Sequence, residues 1–255
     1  MLTIILPVYN QFDEVQCYFD CLAEQTYKDI LVILIDCGNA DKMSRRLESK
    51  IVYHVILAPG AYWAESLQLA YDYITKSGLY TDYVMIGNVD ITFHSFFISS
   101  AIDNIKQGQL LTAHISDLCF HIDGAIKIDW SKYQFNLDKV SPNCTSTRAL
   151  FMTYGGYLKI GRMRPRLLPH YLSDYDMTYR AHKAGYTIHE CSNLVAYSTD
   201  QPPDKVVNRP IFSIRNPANP IYHTIFILLH CPLRYKLTNI LRVWYNTMRM
   251  RCAKY

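Results

Sequence analysis

The sequence predicts an α/β protein with a Rossmann-like, mostly parallel central sheet flanked by helices. Three observations predict it. Short, continuous apolar runs rich in branched residues recur at 2–8 and 30–36, as in strands covered on both faces. Stretches of helical periodicity separate such runs, giving successive β-α-β units. Polar residues follow directly after the runs, where an open sheet of this kind presents its ligand site.

The elements follow in order. Residues 2–8 read as the first strand. Phe12, Val15, Tyr18, Phe19 and Leu22 recur at helical spacing and predict the first helix. Residues 30–36 read as a second buried strand. A polar stretch at 40–49 has helical character, 51–57 reads as a strand, 63–77 as a helix and 82–87 as a strand. The second half is less regular, with short strand-like runs over 108–160. A helix is predicted over 173–184, opened by Ser173 with Asp176 three places on, a capping-box variant, and stopped by Gly185. Pro202, Pro203, Pro210, Pro217 and Pro220 mark 200–220 as an extended loop. A basic helix is predicted over roughly 231–252.

The chain has 255 residues, 50% of them hydrophobic and 19% charged, which allows a sizeable core and excludes disorder. Its net charge of +4 hides an asymmetry. No acidic residue follows Asp204, whereas nine lysines and arginines occupy 205–255, leaving −5 on the first 204 residues. An acidic body with a basic tail points to an anionic membrane or a nucleic acid. The tail helix would place Leu233, Leu237, Ile240, Leu241, Trp244 and Met248 on one stripe flanked by Arg234, Arg242 and Arg249. That pattern fits an interfacial helix on anionic lipid, with Trp244 and Tyr245 at headgroup level. It equally fits a helix packed on the body with an arginine rim. No nucleic-acid-binding pattern accompanies the charge, so no nucleic-acid partner is predicted.

Pro7 interrupts the opening apolar run, which has no positive n-region and reads as a strand, not a signal peptide. The apolar stretch 221–229 is short of the roughly 20 residues that span a bilayer. Eight cysteines without a Cys-x-x-Cys pair suggest neither a zinc site nor a disulfide framework, and fit a reducing compartment. The expectation is a cytoplasmic protein able to rest on the inner face of the cell membrane.

The chain lacks Gly-x-Gly-x-x-Gly and Gly-x-x-x-x-Gly-Lys, which argues against Rossmann dehydrogenases and P-loop ATPases. Four strand ends carry polar or aromatic residues: Pro7-Val8-Tyr9-Asn10, Asp36-Cys37-Gly38-Asn39, Gly60-Ala61-Tyr62-Trp63-Ala64 and Asn88-Val89-Asp90-Ile91. A carboxylate just past a buried strand suits a divalent cation, since hard cations take oxygen ligands. Each residue also has a plainer use. Asp36 and Asp90 could cap a helix or a turn, and Trp63 could be core. Arg148 could form a surface ion pair. Asp174 and Asp176 could complement a helix dipole. His189 and His223 could be further metal ligands or structural histidines.

Taken together, 3–10, 21–27 (ending Gln25, Thr26, Tyr27) and 35–41 resemble the start of a family 2 glycosyltransferase of the GT-A fold. The 60–70 segment with Trp63 and Ala64 is similar to the rhamnosyltransferase-like branch. Asn88-Val89-Asp90 stands at the place of the family's Asp-x-Asp motif. Ser173 to Asp176, with Arg180 and Ala184-Gly185-Tyr186, resembles its Glu-Asp-x-Asp helix. The resemblance runs from residue 2 to about 190.

It implies an inverting enzyme that moves a single sugar from a UDP- or dTDP-sugar to a hydroxyl of a saccharide acceptor. That acceptor would be lipid-linked, in cell-surface polysaccharide biosynthesis. Pro7, Val8, Tyr9, Asp36, Cys37, Gly60, Trp63, Asn88 and Asp90 would contact the donor, and Asp90 would hold Mn²⁺ or Mg²⁺. Asp174 would be the general base, and Arg148 and Asp176 would meet the acceptor. Residues 1–200 would form the catalytic domain, with a nucleotide-sugar half (1–107) and an acceptor half (108–200), and 201–255 the proline-rich loop and basic helical segment. Cys37, Asn88 and Ser173 depart from the family's pattern. They keep open an inactive, glycosyltransferase-like subunit that binds a nucleotide-sugar or a partner. The absent Gln-x-x-Arg-Trp signature argues for single-sugar addition.

Overall fold

The computed structural model describes residues 1–38, 47–116, 124–199 and 209–252. The first half forms as its patterning dictates. Strand β1 (Leu2–Val8) is followed by α1 (Phe12–Ala23), β2 (Ile30–Asp36), β3 (Val52–Leu57), α2 (Trp63–Lys76) and β4 (Tyr83–Gly87). Every residue of β1 and β2 is buried, which is what their unbroken apolar runs require. Residues 40–46 of the polar stretch lie outside the described residues, and 47–49 are not helical.

Beyond β4 come β5 (Ile91–Phe93), α3 (Phe97–Asn104), β6 (Gln109–Ser116), β7 (Ala125–Asp129), β8 (Gln134–Leu137) and β9 (Cys144–Thr145). Then follow β10 (Ala149–Thr153), α4 (Tyr154–Ile160), α5 (Ser173–Lys183), β11 (Thr187–Ser198), α6 (Pro220–His230) and α7 (Leu233–Cys252). The main sheet has eight strands in the order β3-β2-β1-β4-β10-β6-β11-β5. The four strands from β3 to β4 run parallel. Strand β10 then enters antiparallel to both β4 and β6, β11 lies parallel to β6, and β5 closes the edge antiparallel to β11. The sheet is therefore parallel in its first half and mixed in its second. A small antiparallel sheet, β8-β7-β9, stands apart.

Apolar side chains from α1 and α3 cover one face of the main sheet, among them Tyr18, Phe19, Phe97 and Ile98. The other face is covered from α2, α4 and α5 by Leu67, Ile74, Tyr157 and Met177. A third cluster joins the small sheet to α5 and α6 through Ile126, Trp130, Tyr179 and Phe226.

Three details differ from the sequence expectation. The capping box at α5 does not form: the N-cap position is Leu172 in a left-handed conformation (φ 67°), and the Ser173 hydroxyl donates to the carbonyl of His170. The proline-rich segment ends at Asn219, whose side chain caps α6 by accepting from the Ile221 amide, with Pro220 in the first turn. Helix α7 buries a polar face. Asn239 is fully buried and donates to the carbonyl of Trp130 (2.7 Å), and Thr247 is 4% exposed. The apolar stripe points the other way, with Leu233 86%, Leu237 70%, Leu241 61% and Met248 57% exposed, and of its members Ile240 packs on the third cluster. Among the described residues no helix is long and apolar enough to cross a membrane.

Candidate active site

The carboxyl ends of β1, β2 and β4 open onto a cavity of about 800 Å³, a volume usual for small-molecule sites. Of the residues singled out from sequence, Pro7, Val8, Tyr9, Cys37, Tyr62, Trp63, Asn88, Asp90, Arg148, Asp174 and His223 line it. Asp36, Gly60 and Asp176 do not.

The strand ends are held closely together. The Cys37 amide donates to the carbonyl of Val8 (2.9 Å) and the Gly60 amide to that of Cys37 (2.9 Å). Asn10 takes a positive φ of 56°, and its side chain fills the space beside Gly38. A Cβ at Gly38 would crowd Asn10 Oδ1 and lie 2.9 Å from the Asn10 backbone nitrogen, which cannot swing aside, so glycine is favoured there. Gly60 supplies the turn after β3 with φ +79° and does not itself line the cavity.

Asp36 ends β2 just beneath this floor and is 1% exposed. Its Oδ1 accepts from the Gly38 amide (2.9 Å), whereas its buried Oδ2 has no hydrogen-bond partner among the described residues. Asn88 Oδ1 is likewise buried without a partner. A buried polar oxygen left unpaired costs about 1–3 kcal/mol, and such groups in a cavity wall mark where a ligand completes the bonding. The Cys37 thiol is pushed up to about 11, chiefly by burial, and stays neutral at pH 7.

Asp90 follows Asn88 in the turn between β4 and β5. Its Oδ2 lies 3.4 Å from an Arg148 terminal nitrogen, and the other terminal nitrogen of Arg148 donates to Ser198 Oγ (3.1 Å). The Asn88 amide donates to the Arg148 carbonyl (3.0 Å), which fixes this turn against the start of β10. Asp90 and the unpaired Asn88 oxygen form an all-oxygen donor set suited to Mg²⁺ or Mn²⁺. Such cations often sit on one or two carboxylates and complete their shell with substrate phosphates. Among the described residues no group of three or more His, Cys, Asp or Glu gathers to cage a metal. His189 is exposed on β11. Both His223 ring nitrogens are engaged, Nδ1 by the Tyr133 hydroxyl (2.7 Å) and Nε2 by the Pro217 carbonyl (2.8 Å), so neither histidine offers a ligand here.

Asp174 reaches the cavity from the first turn of α5. The fully buried Thr178 anchors that turn: its hydroxyl lies 3.0 Å from the carbonyls of both Asp174 and Thr145, and it accepts from the Thr145 amide (3.1 Å). Asp176, two places on, faces the interior and does not line the cavity. It is 1% exposed, and its carboxylate accepts from His230 Nε2 (2.8 Å), Arg180 Nε (3.0 Å) and Arg164 (3.3 Å). Burial pushes its pKa up, but the His230 hydrogen bond and the two guanidinium charges outweigh it and hold the carboxyl below its ordinary value.

Beside Tyr62, from the strand end that carries Trp63, the cavity also contains three residues that no sequence motif marks: His170, Arg209 and Arg215. In sequence the two arginines are part of the basic tail's charge. His170 is held down at about 4 by burial, and then by the charges of Arg215 and Arg209, so it is neutral at pH 7.

No family model and no curated protein sequence matches the chain. Solved structures do. TarS 1–349 of S. aureus, in complex with UDP-GlcNAc, is 12% identical with a TM-score of 0.63, over 93% of this chain and 69% of that one. A mannosyltransferase from Pyrobaculum calidifontis, in complex with GDP-Man and Mn²⁺, is 15% identical with a TM-score of 0.58, over 97% of this chain and 75% of that one. GalNAc-T7 with UDP, GalNAc and Mn²⁺ is 9% identical with a TM-score of 0.68, over 88% of this chain and 47% of that one. The chain spans 42% of the longer TarS structure. At these identities the likeness is one of fold, and the fold is that of the GT-A glycosyltransferases.

Proposed function

We propose that this chain is a family 2 glycosyltransferase, of the rhamnosyltransferase-like branch, that transfers a single sugar from a UDP- or dTDP-sugar to a saccharide hydroxyl with inversion. The observation that carries the reading is the cavity wall itself. The buried, unpartnered oxygen of Asn88 and the carboxylates of Asp90 and Asp174 stand around one opening at the strand ends, and the unpartnered Oδ2 of Asp36 lies just beneath its floor. The nucleotide-sugars bound by TarS and by the Pyrobaculum calidifontis mannosyltransferase support it.

In this reading Tyr9, 45% exposed at the cavity wall, offers its ring to the base, beside Pro7, Val8 and Cys37. Asp36 Oδ2 accepts from the base or ribose. Asp90, steadied by Arg148, and Asn88 would hold a divalent cation, which when bound neutralises charge on the departing diphosphate. Asp174 takes the proton of the acceptor hydroxyl as that oxygen attacks the anomeric carbon. One base and direct displacement give inversion, by the logic of inverting glycosidases. A lipid-linked acceptor is supported by the exposed apolar stripe of α7 beside Arg234 and Arg249, which suits the surface of an anionic membrane.

A thermal-shift panel tests the reading. UDP, dTDP, GDP and CMP, and their sugars, are added with and without Mn²⁺. A raised melting temperature with one diphosphate series, larger with Mn²⁺, is the expected result. No shift with any nucleotide removes the proposal.

A further inference from the structure

We propose that Arg215 and Arg209 form a metal-independent clamp for the diphosphate of the nucleotide donor, with Arg215 presented at the cavity by cation–π contacts to Tyr9 and Tyr62. The inference rests on the donor site proposed above and extends it to a part of the chain outside the matched motifs.

The first observation is charge. The cavity is lined by three arginines and by the carboxylates of Asp90 and Asp174. Arg148 is paired with Asp90, and outside the cavity Arg164 and Arg180 share Asp176. Arg209 and Arg215 have no carboxylate within ion-pair distance among the described residues. Two guanidinium groups in one concave wall, with no counter-ion among the described residues, are complementary to an anion of more than one charge.

The second observation is orientation. The Arg215 guanidinium carbon lies 4.6 Å from the Tyr9 ring centroid and 5.7 Å from that of Tyr62. A guanidinium held over aromatic rings is attracted to their faces without using its N–H donors, which stay available to bond two phosphate oxygens at once. Tyr9 is also the ring proposed for the base. Base and diphosphate are joined through one ribose, so a cation held over that ring stands close to where the phosphates must pass.

The third observation is that the segment is built to hold this pose. Arg209 donates to the carbonyl of Arg215 (2.8 Å), Asn216 donates back to the carbonyl of Arg209 (3.0 Å), and the Arg215 amide donates to Ser213 Oγ (3.3 Å). Asn219, which caps α6, also donates to the carbonyl of Ser213 (3.1 Å). The two arginines are therefore coupled through their own backbone. One consequence follows for the metal: part of the diphosphate's charge is met by the chain itself, so nucleoside diphosphates bind in its absence.

The test is calorimetric binding in EDTA, with uridine and UDP, thymidine and dTDP, and guanosine and GDP, to wild type and to R209Q, R215Q and R215K. Wild type is expected to bind one diphosphate more tightly than its nucleoside. R209Q and R215Q should each remove about 10- to 100-fold of that preference, the range for a lost charged hydrogen bond, while nucleoside binding stays within about twofold. R215K keeps the charge but not the fork, and should recover only part. Variants that keep the wild-type preference, or that lose nucleoside and diphosphate equally, overturn the clamp. A wild type that binds a diphosphate only when Mn²⁺ is added also overturns it and leaves the sugar-transfer reading standing. A wild type that binds no nucleotide under either condition overturns both.

Discussion

His230 Nε2 lies 2.8 Å from Oδ1 of Asp176, with both side chains almost wholly buried, at 3% and 1% exposure. This contact joins the last residue of α6 to the helix that carries Asp174. Arg180 and Arg164 complete the carboxylate's partners. The C-terminal segment is thereby tied to the placement of the proposed base, two residues before Asp176.

Breaking this cluster should cost stability. Asp176→Asn removes the one acid among three basic groups, and loss of a buried charged partner typically costs about 3–5 kcal/mol. Urea unfolding at pH 7 should show a loss of that order. A variant of wild-type stability with a raised acceptor KM would instead return Asp176 to the acceptor role first expected of it.

The same cluster sets an acid limit. The Asp176 carboxyl is held below its ordinary value in the fold, so ionisation favours the folded state. Its contribution is complete above the unfolded-state value, about 3.9, and is lost as pH falls through the folded value. Between about pH 5 and pH 2 the urea midpoint of wild type should therefore fall more steeply than that of Asp176→Asn.

Asp174→Asn separates enzyme from inactive subunit. As general base its loss should lower kcat about 10²- to 10⁴-fold while nucleotide binding stays as in wild type. A chain that only binds nucleotide-sugar or a partner has no turnover for this change to affect.

Asp90→Asn addresses the metal. The change should abolish the extra thermal stabilisation that Mn²⁺ gives a bound nucleoside diphosphate, and leave the EDTA baseline in place. An unchanged Mn²⁺ increment would move the cation away from Asp90.

Much of this was legible in sequence for a physical reason. β1 and β2 are buried on both faces, so their apolar runs are uninterrupted, and the carboxyl ends of such strands locate Tyr9, Asp36 and Asp90 directly. The hidden part depends on contacts between distant segments. Nothing local in 149–153 says that β10 inserts antiparallel between β4 and β6. Asp174 and Asp176 look alike in a helix's first turn, and only His230, far along the chain, draws one of them inward. Arg215 read as tail charge because the ring it lies over belongs to the end of the first strand.

The outward stripe of α7 gives the last prediction. Of the two uses first considered for this helix, packing on the body is met by Asn239, Ile240, Val243 and Thr247, which leaves Leu233, Leu237, Leu241 and Met248 in the open. Trp244, 37% exposed, donates its indole N–H to Thr224 (3.1 Å) and meets Phe212, a neighbour of the Arg215 segment, at 6.4 Å between ring centroids. A membrane under this stripe would thus lie beside the segment that lines the cavity. Vesicles containing phosphatidylglycerol should pull the protein down more strongly than phosphatidylcholine alone, and less so as salt rises. Leu237→Ser with Leu241→Ser should weaken that binding by roughly 1–2 kcal/mol per residue. Both side chains are exposed, so the melting temperature should barely move. Binding that ignores lipid charge and these two leucines, together with a dimer that they abolish, would assign the stripe to a second copy of the chain instead.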